Sequence, residues 1–177
     1  YPAVYPPPFY FYLTPLALLP YRLATSVWFL LNELFLLTAL LWCGAEKLYR
    51  SPARMAMLSV IVVAFQPLYE QMANGQANLL LLVGVVLAVR LWAMGSMWSG
   101  VVLGLTAMVK PQFALLGLLW IHPTEWRHLG TAAATICVLE LGALAVVGLD
   151  DWLIHLRYTR DFPCAYSLWI LNISLRG

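Results

Sequence analysis

The chain has 177 residues, of which 63% are hydrophobic and only 10% are charged, and its formal net charge is +2 at pH 7. A soluble domain carries about 25% charged residues. That contrast, together with a mean hydropathy of +0.81, excludes an ordinary soluble protein, and the small net charge gives no indication of nucleic-acid binding. Several apolar runs approach the ~20 residues that cross a bilayer, so we predict an all-α polytopic membrane protein.

The start of the chain is rich in proline, and its first residue is Tyr1 rather than methionine. We therefore expect the chain to be a fragment of a longer protein. Segment 9–19 is apolar but only about 16 Å long at 1.5 Å per residue, which predicts a half-helix that does not cross the bilayer. Segment 21–42 is long enough to span, and Arg22 and Trp42 at its ends are typical interface anchors.

Two polar residues, Asn32 and Glu33, fall near the middle of that span. We expect them to face other helices and to find hydrogen bonds there. The following loop, 44–54, is basic and is predicted to be cytoplasmic by the positive-inside rule. Segment 55–72 is then predicted to return across the membrane, with a kink at Pro67.

The far end of this second span carries polar residues. Gln66, Glu70 and Asn74 recur at every fourth position and so share one helical face. This face either lines a water-filled cavity or dips into the outer membrane interface, and the spacing alone supports both. The chain is predicted to turn on the outer side at 75–78 and to span inward over 78–93.

The run 100–121 is long enough to span but is interrupted by Lys110 and Pro111. A lysine among apolar neighbours costs about 2.5–3.5 kcal/mol on insertion scales, so it normally has a partner or a function. The basic residues on both sides of the run favour the cytoplasm. Two short helices that meet at Lys110 would place both ends there, and such a break is expected to line a cavity.

The last predicted span is 129–149, and Glu140 lies in its middle. An ion pair between Glu140 and Lys110 would neutralise both groups. The alternative is that Lys110 binds an anionic headgroup, and the sequence leaves both possibilities open. Segment 151–162 is predicted to be an amphipathic, interfacial stretch.

The sequence contains no phosphate loop, no dinucleotide fingerprint and no pair of histidines with metal-ligand spacing. We therefore predict neither a cofactor nor a metal site. His122 and His128 flank a loop with Trp126 and Arg127, and we interpret both histidines as interface residues.

Several short motifs together resemble glycosyltransferase family 87. In chain order they are Tyr5–Pro7, Pro15–Pro20, Trp28 with Leu31 and Asn32, Asn74–Leu79, Gly100, Gly104, Lys110 with Pro111, and Asn172–Gly177. The resemblance covers nearly the whole chain. That family contains the polyprenyl-phosphate-mannose-dependent α-mannosyltransferases, which have the membrane fold called GT-C, a helical bundle with short or broken helices.

The resemblance implies a membrane glycosyltransferase that moves a sugar, usually mannose, from a polyprenyl-phosphate donor to a glycolipid or glycan acceptor. The reaction would take place on the extracytoplasmic side of a membrane, which we expect to be a bacterial plasma membrane. GT-C enzymes typically use a carboxylate of the first extracytoplasmic loop as base, and here that loop would precede Tyr1. The lipid tail of the donor would lie between helices. The residues that we expect to bind substrate are Lys110, Gln76, Asn78, Glu70 and Asn172.

Two other function classes fit the same polar residues. A transporter or lipid flippase would use Lys110, Glu140 and Glu33 as a charge relay at the bilayer midplane, although the sequence shows no internal repeat. A membrane scaffold without catalytic activity would leave every polar group paired and would have no cavity.

Overall fold

The computed structural model describes residues 6–48, 51–65, 68–70, 75–120 and 125–157, and within these ranges it contains helices and no strand. Pro67 and Asn172 lie outside the described residues. The principal helices are α1 (Pro7–Ala17), α2 (Tyr21–Leu48), α3 (Pro52–Ala64), α4 (Asn78–Ala93), α5 (Trp98–Val109), a 3-10 helix (Pro111–Trp120) and α6 (Trp126–Val147). Residues 149–157 form a further helical stretch.

Two of the described helices contain a stretch long and apolar enough to cross a membrane, namely Tyr21–Trp42 and Trp126–Val147. The apolar stretches of α4 and α5, Asn78–Ala93 and Trp98–Ala107, are shorter. Many large apolar side chains on these helices point outward, for example Phe29 on α2 and Leu141 on α6. Such a surface suits hydrocarbon better than water.

Two hydrogen bonds show that α2 and α4 run parallel. The indole Nε1 of Trp28 donates to the carbonyl oxygen of Gly75 at 3.1 Å, next to the start of α4. Near the other end, Nη1 of Arg90 donates to the carbonyl oxygen of Trp42, also at 3.1 Å. The two bonds join residues 47 and 48 positions apart. Because this separation is nearly the same at both ends, the two helices run in the same direction.

Helices α5 and α6 are also parallel, and glycine allows them to approach closely. A Cβ atom on Gly104 would lie 2.7 Å from Cβ of Thr135 and 2.9 Å from the carbonyl oxygen of Ala132. One turn earlier, Gly100 faces Thr131 and the backbone of His128 in the same way. Small residues at such a seam permit helix packing where the hydrophobic effect gives no driving force.

The 3-10 helix returns the chain from the end of α5 to the start of α6. Helix α5 stops because Lys110 is extended, with φ −140° and ψ 110°, and because Pro111 has no N–H to continue the ladder. A 3-10 helix rises about 2.0 Å per residue, so its 10 residues retrace nearly the whole length of α5. The run 100–121 is therefore broken at Lys110, where the sequence predicts a break.

The helix bounds differ most from the predicted segments in two places. Helix α2 continues through Leu48, although 44–54 is predicted to be a loop. The added residues include alanine, glutamate, lysine and leucine, which are strong helix formers, and the positive-inside rule predicts their side of the membrane but not their conformation. Helix α3 ends at Ala64, whereas a single span is predicted over 55–72.

We refer below to two ends of the bundle. The Lys110 end contains Gly75, Asn78 and Lys110, and the Ser99 end contains Arg90 and Ser99.

Candidate functional site

Lys110 forms a hydrogen bond to the first residue of α4. Its Nζ atom donates to Oδ1 of Asn78 at 2.6 Å, and the contact is partly buried. The bond connects the end of α5 to the start of α4, since Lys110 caps the former and Asn78 opens the latter. A bond of this length with a charged donor belongs to the strong class of side-chain hydrogen bonds.

Asn78 extends this contact to Gln76. Its Nδ2 atom donates to Oε1 of Gln76 at 2.8 Å. The turn that leads into this segment depends on Gly75, whose φ of +61° is disfavoured for residues with a side chain. The indole of Trp28 holds the carbonyl group of Gly75 from α2. Three of the residues predicted to bind substrate, Lys110, Asn78 and Gln76, are thus brought together in one hydrogen-bonded row.

The row is electrostatically positive. Within the described part of the chain, the partner of the Lys110 ammonium is the neutral amide of Asn78, and no carboxylate forms an ion pair with it. The N-terminus of α4 lies at the same place and has no side-chain cap. A helix N-terminus carries roughly half a positive charge and unpaired N–H groups, so a cation and a helix dipole converge on the same point. This combination is suited to an anion such as phosphate.

Glu140 is not the partner of Lys110. Its Oε2 atom accepts a hydrogen bond from Nε1 of Trp152 at 3.0 Å. The chain turns back at Gly148, which has a φ of +84°, and so brings residues 149–157 against α6. Burial lowers the pKa of the His155 imidazole, and the nearby carboxylate of Glu140 opposes that shift.

Among the described residues, the remaining candidates do not join the row through a hydrogen bond. Glu70 is exposed and takes no part in the described hydrogen bonds of Lys110, and Asn172 lies outside the described residues. Glu33 is also exposed. Asn32 is buried, and its Nδ2 atom donates to the carbonyl oxygen of Trp28 at 2.8 Å. The three residues of the hypothetical relay, Lys110, Glu140 and Glu33, therefore form no connected path through described side chains.

A second polar cluster, at the Ser99 end, is not predicted from the sequence. The hydroxyl of Ser99 lies 2.6 Å from Nδ1 of His128, and both residues are buried. Nε2 of His128 lies 3.3 Å from Oε2 of Glu125, which also accepts a hydrogen bond from Nε1 of Trp92 at 2.8 Å. His128 is thus a buried group that joins helices, and its position at the membrane interface stays a prediction. The sequence signal for this burial was the glycine pair 100 and 104, which lets α6 approach.

An apolar cavity of about 680 Å³ opens between α1, α2, α4 and α5. It reaches Val109, the neighbour of Lys110 in the chain, and Trp28, which holds the turn beside Asn78. In the described ranges, no group of three or more His, Cys, Asp or Glu side chains could hold a metal ion.

The fold and the site define a class: an α-helical membrane protein whose cationic polar site lies beside an apolar cavity. Comparison with known protein families matches residues 3–175 to glycosyltransferase family 87. The chain belongs to that family, which makes it a membrane glycosyltransferase with a sugar donor and an acceptor as substrates. No curated protein and no solved structure matches the chain.

Proposed function

We propose that the protein is a polytopic membrane enzyme of the GT-C type that transfers a hexose, expected to be mannose, from a polyprenyl-phosphate donor to a glycolipid or glycan acceptor. The reaction takes place on the extracytoplasmic face of a bacterial plasma membrane, and the Lys110 end of the bundle is the end that faces it. Lys110 binds the phosphate of the donor.

The observation that carries this proposal is the pairing of Lys110 with a neutral amide instead of a carboxylate. Its charge therefore stays available, and the N-terminus of α4 adds to it. The leaving phosphate gains negative charge as its bond to the sugar breaks. A positioned ammonium stabilises that charge more in the transition state than in the ground state, which accelerates transfer.

The other proposed contacts follow from the chemistry of a sugar. Hydroxyl groups need neutral donors and acceptors, which the amides of Gln76 and Asn78 provide. Glu70 and Asn172 remain proposed contacts of the sugar or the acceptor. The acceptor hydroxyl also needs a base to remove its proton as it attacks, and we assign that base to none of the described residues.

The test is transfer by the full-length protein in proteoliposomes that contain radiolabelled mannosyl polyprenyl phosphate and a glycolipid extract. Lys110→Ala should lower the transfer rate by about a hundredfold or more, as the loss of one oxyanion-stabilising group does elsewhere. Lys110→Arg keeps the charge but changes its geometry and should retain part of the rate. Arg127→Ala, which removes an exposed cation next to the start of α6, is the matched control.

Normal transfer by Lys110→Ala would overturn the role of Lys110. Movement of the labelled lipid between leaflets without transfer of sugar would instead identify a flippase. Labelled donor confined to the outer leaflet of sealed, right-side-out vesicles tests the sidedness, because only an extracytoplasmic site can use it.

A further inference from the structure

The Ser99 end of the bundle carries a patch of exposed, large apolar side chains. Met94 is 75% exposed in the turn between α4 and α5, and Trp98 and Trp126, at the starts of α5 and α6, are 66% and 69% exposed. Because α5 and α6 run parallel and Gly100 faces the backbone of His128, the two tryptophans, each two residues earlier, lie at the same level. An exposed apolar patch with a polar rim marks an interaction site. We call the following residues the Trp98 patch: Met94, Met97, Trp98 and Trp126.

Hydrogen bonds hold together the three helix ends that carry this patch. From α4, Nε1 of Trp92 donates to Oε2 of Glu125, the residue before α6. From α5, the hydroxyl of Ser99 lies 2.6 Å from Nδ1 of His128 on α6. The turn between α4 and α5 is tight, since Gly95 has a φ of +67° and its N–H donates to the carbonyl oxygen of Trp92 at 2.8 Å. The patch is therefore preorganised, which lowers the entropy lost when it binds a partner.

Two exposed arginines lie at the same end of the bundle as the Trp98 patch. Arg90 lies in the last turn of α4, and Arg127 lies in the first turn of α6. One N–H group of Arg90 donates to the carbonyl oxygen of Trp42 at 3.1 Å, which leaves the other donors of its guanidinium for a ligand. The carboxylate of this region, on Glu125, is engaged by the buried cluster described above. The surface is therefore apolar with a cationic rim.

We propose that this surface binds anionic phospholipids of the leaflet that surrounds the Ser99 end. Arg90 and Arg127 bind the phosphate of the headgroup, and the Trp98 patch lies at the boundary between headgroups and acyl chains. Tryptophan is enriched at this depth because its ring is apolar while its indole N–H is polar. A guanidinium group pairs with phosphate through two parallel hydrogen bonds. The surface lies at the opposite end of the bundle from Lys110, so the proposal does not depend on the proposed function.

The length of α6 favours a lipid over a soluble protein as the partner. This helix begins at Trp126 and contains 22 residues, so it is about 33 Å long at 1.5 Å per residue. The hydrocarbon core of a bilayer is about 30 Å thick. A span that starts at the Trp98 patch therefore places the patch at one boundary of the hydrocarbon, where the headgroups of lipids are its immediate neighbours.

The first experiment measures lipid binding at the two tryptophans directly. Full-length protein labelled with fluorotryptophan is titrated with phosphatidylglycerol in maltoside micelles and followed by fluorine NMR. Trp98→Phe and Trp126→Phe assign the two signals. Both signals should shift in a saturable way, and the affinity should be about twentyfold higher for phosphatidylglycerol than for phosphatidylcholine, because each of two arginines near a lipid surface contributes about fivefold.

The second experiment removes the cations one at a time. Arg90→Gln and Arg127→Gln should each weaken the binding of phosphatidylglycerol by about fivefold. Arg22→Gln removes an exposed cation from the start of α2, at the Lys110 end of the bundle, and should leave the titration unchanged. It is the matched control, because it makes the same substitution at an equally exposed position.

The third experiment tests the apolar part of the surface. Trp98→Gln, followed through the signal of Trp126, should weaken phosphatidylglycerol by about threefold or more, because it removes an apolar contact with the acyl chains. Tyr21→Gln alters an aromatic residue that is 82% exposed at the Lys110 end and should have no effect. Both positions are exposed, so both variants should keep the thermal stability of the wild type to within about 0.5 kcal/mol.

Four results would overturn the proposal. The first is equal affinity for phosphatidylcholine, and the second is unchanged affinity in both Arg90→Gln and Arg127→Gln. The third is a shift of the two signals by free glycerol phosphate at the same concentration, which would show a site for a soluble anion. The fourth is a shift that follows protein concentration and not lipid concentration, which would show a contact between copies of the chain.

Discussion

The ammonium group of Lys110 hydrogen-bonds to the side-chain oxygen of Asn78 at 2.6 Å, and so joins two helices that run in opposite directions. Because the partner is an amide, the contact fixes the position of the cation without neutralising it. A carboxylate at the same position would fix the lysine equally well but would cancel its charge. This difference can be tested with a single substitution.

Asn78→Asp should preserve the contact with Lys110 and abolish the anion site. We expect the variant to fold, because a carboxylate oxygen accepts the lysine hydrogen bond at least as well as an amide oxygen does. We expect its sugar-transfer rate to fall by about a hundredfold, since the phosphate would then meet a neutral ion pair in place of a net positive charge. Glu33→Gln, at an exposed position on α2, is the control for a change in charge. Wild-type activity in Asn78→Asp would show that the charge of Lys110 is not used.

Gly104→Ala should destabilise the seam between α5 and α6. The new Cβ atom would lie 2.7 Å from Cβ of Thr135 and 2.9 Å from a backbone oxygen, so the helices must separate, at a cost of about 1–3 kcal/mol. Gly142→Ala on α6 meets nothing within 4 Å and should instead stabilise by about 0.5–1 kcal/mol, because alanine is the better helix former. Thermal unfolding in detergent should therefore move in opposite directions for the two variants. A shift of the unfolding temperature in the same direction for both variants would contradict the close packing of α5 against α6.

Ser99→Ala should weaken the cluster at the Ser99 end. Ser99 is fully buried, and its hydroxyl lies 2.6 Å from Nδ1 of His128. Removing it costs about 1–3 kcal/mol of unfolding free energy, because a buried ring nitrogen loses a partner. Ser96→Ala, in the partly exposed turn before α5, should stay within about 0.5 kcal/mol of the wild type. Equal stability of the two variants would mean that the Ser99 contact contributes nothing.

Glu140→Gln should lower the pKa of His155 further. Burial already lowers the pKa of this imidazole, and the carboxylate of Glu140 counteracts burial by favouring the charged ring. Glutamine keeps an acceptor oxygen for Trp152 but removes the negative charge, so the ring should stay neutral to a lower pH. NMR titration of the histidine ring protons measures the shift. Asp150→Asn, at an exposed position of the same stretch, should leave the titration unchanged, and an upward shift in Glu140→Gln would contradict the assignment.

The break at Lys110 could be predicted from the sequence because its causes are local. A proline cannot continue a helix, a lysine interrupts an apolar run, and the basic residues on both sides constrain where the ends lie. The positions of α1 and α4 also follow from the extent of apolar runs. The continuation of α2 through Leu48 could not be predicted in this way. The end of an apolar run marks where the chain leaves the hydrocarbon, and a helix can continue beyond that point.

The partners of the polar residues could not be predicted, because they depend on packing. Lys110 and Asn78 are 32 positions apart, and no periodicity connects them. By charge, Glu140 was also a reasonable partner for Lys110. Residues 149–157 fold back onto α6, however, and Glu140 there accepts a hydrogen bond from Trp152. His128 lies next to a basic loop, which suggests exposure. Its burial follows from the parallel packing of α5 and α6, which a charge pattern does not reveal.

The length of the 3-10 helix between Pro111 and Trp120 also sets the position of Lys110 along the bundle axis. Each of its residues advances the chain by about 2.0 Å, against 1.5 Å in an α-helix, and its 10 residues separate Lys110 from the loop before α6. Deleting or inserting one residue there would shift the lysine by about 2 Å along the bundle axis. Homologues that conserve the depth of the cation should therefore conserve the length of this stretch more strictly than the identity of its apolar residues.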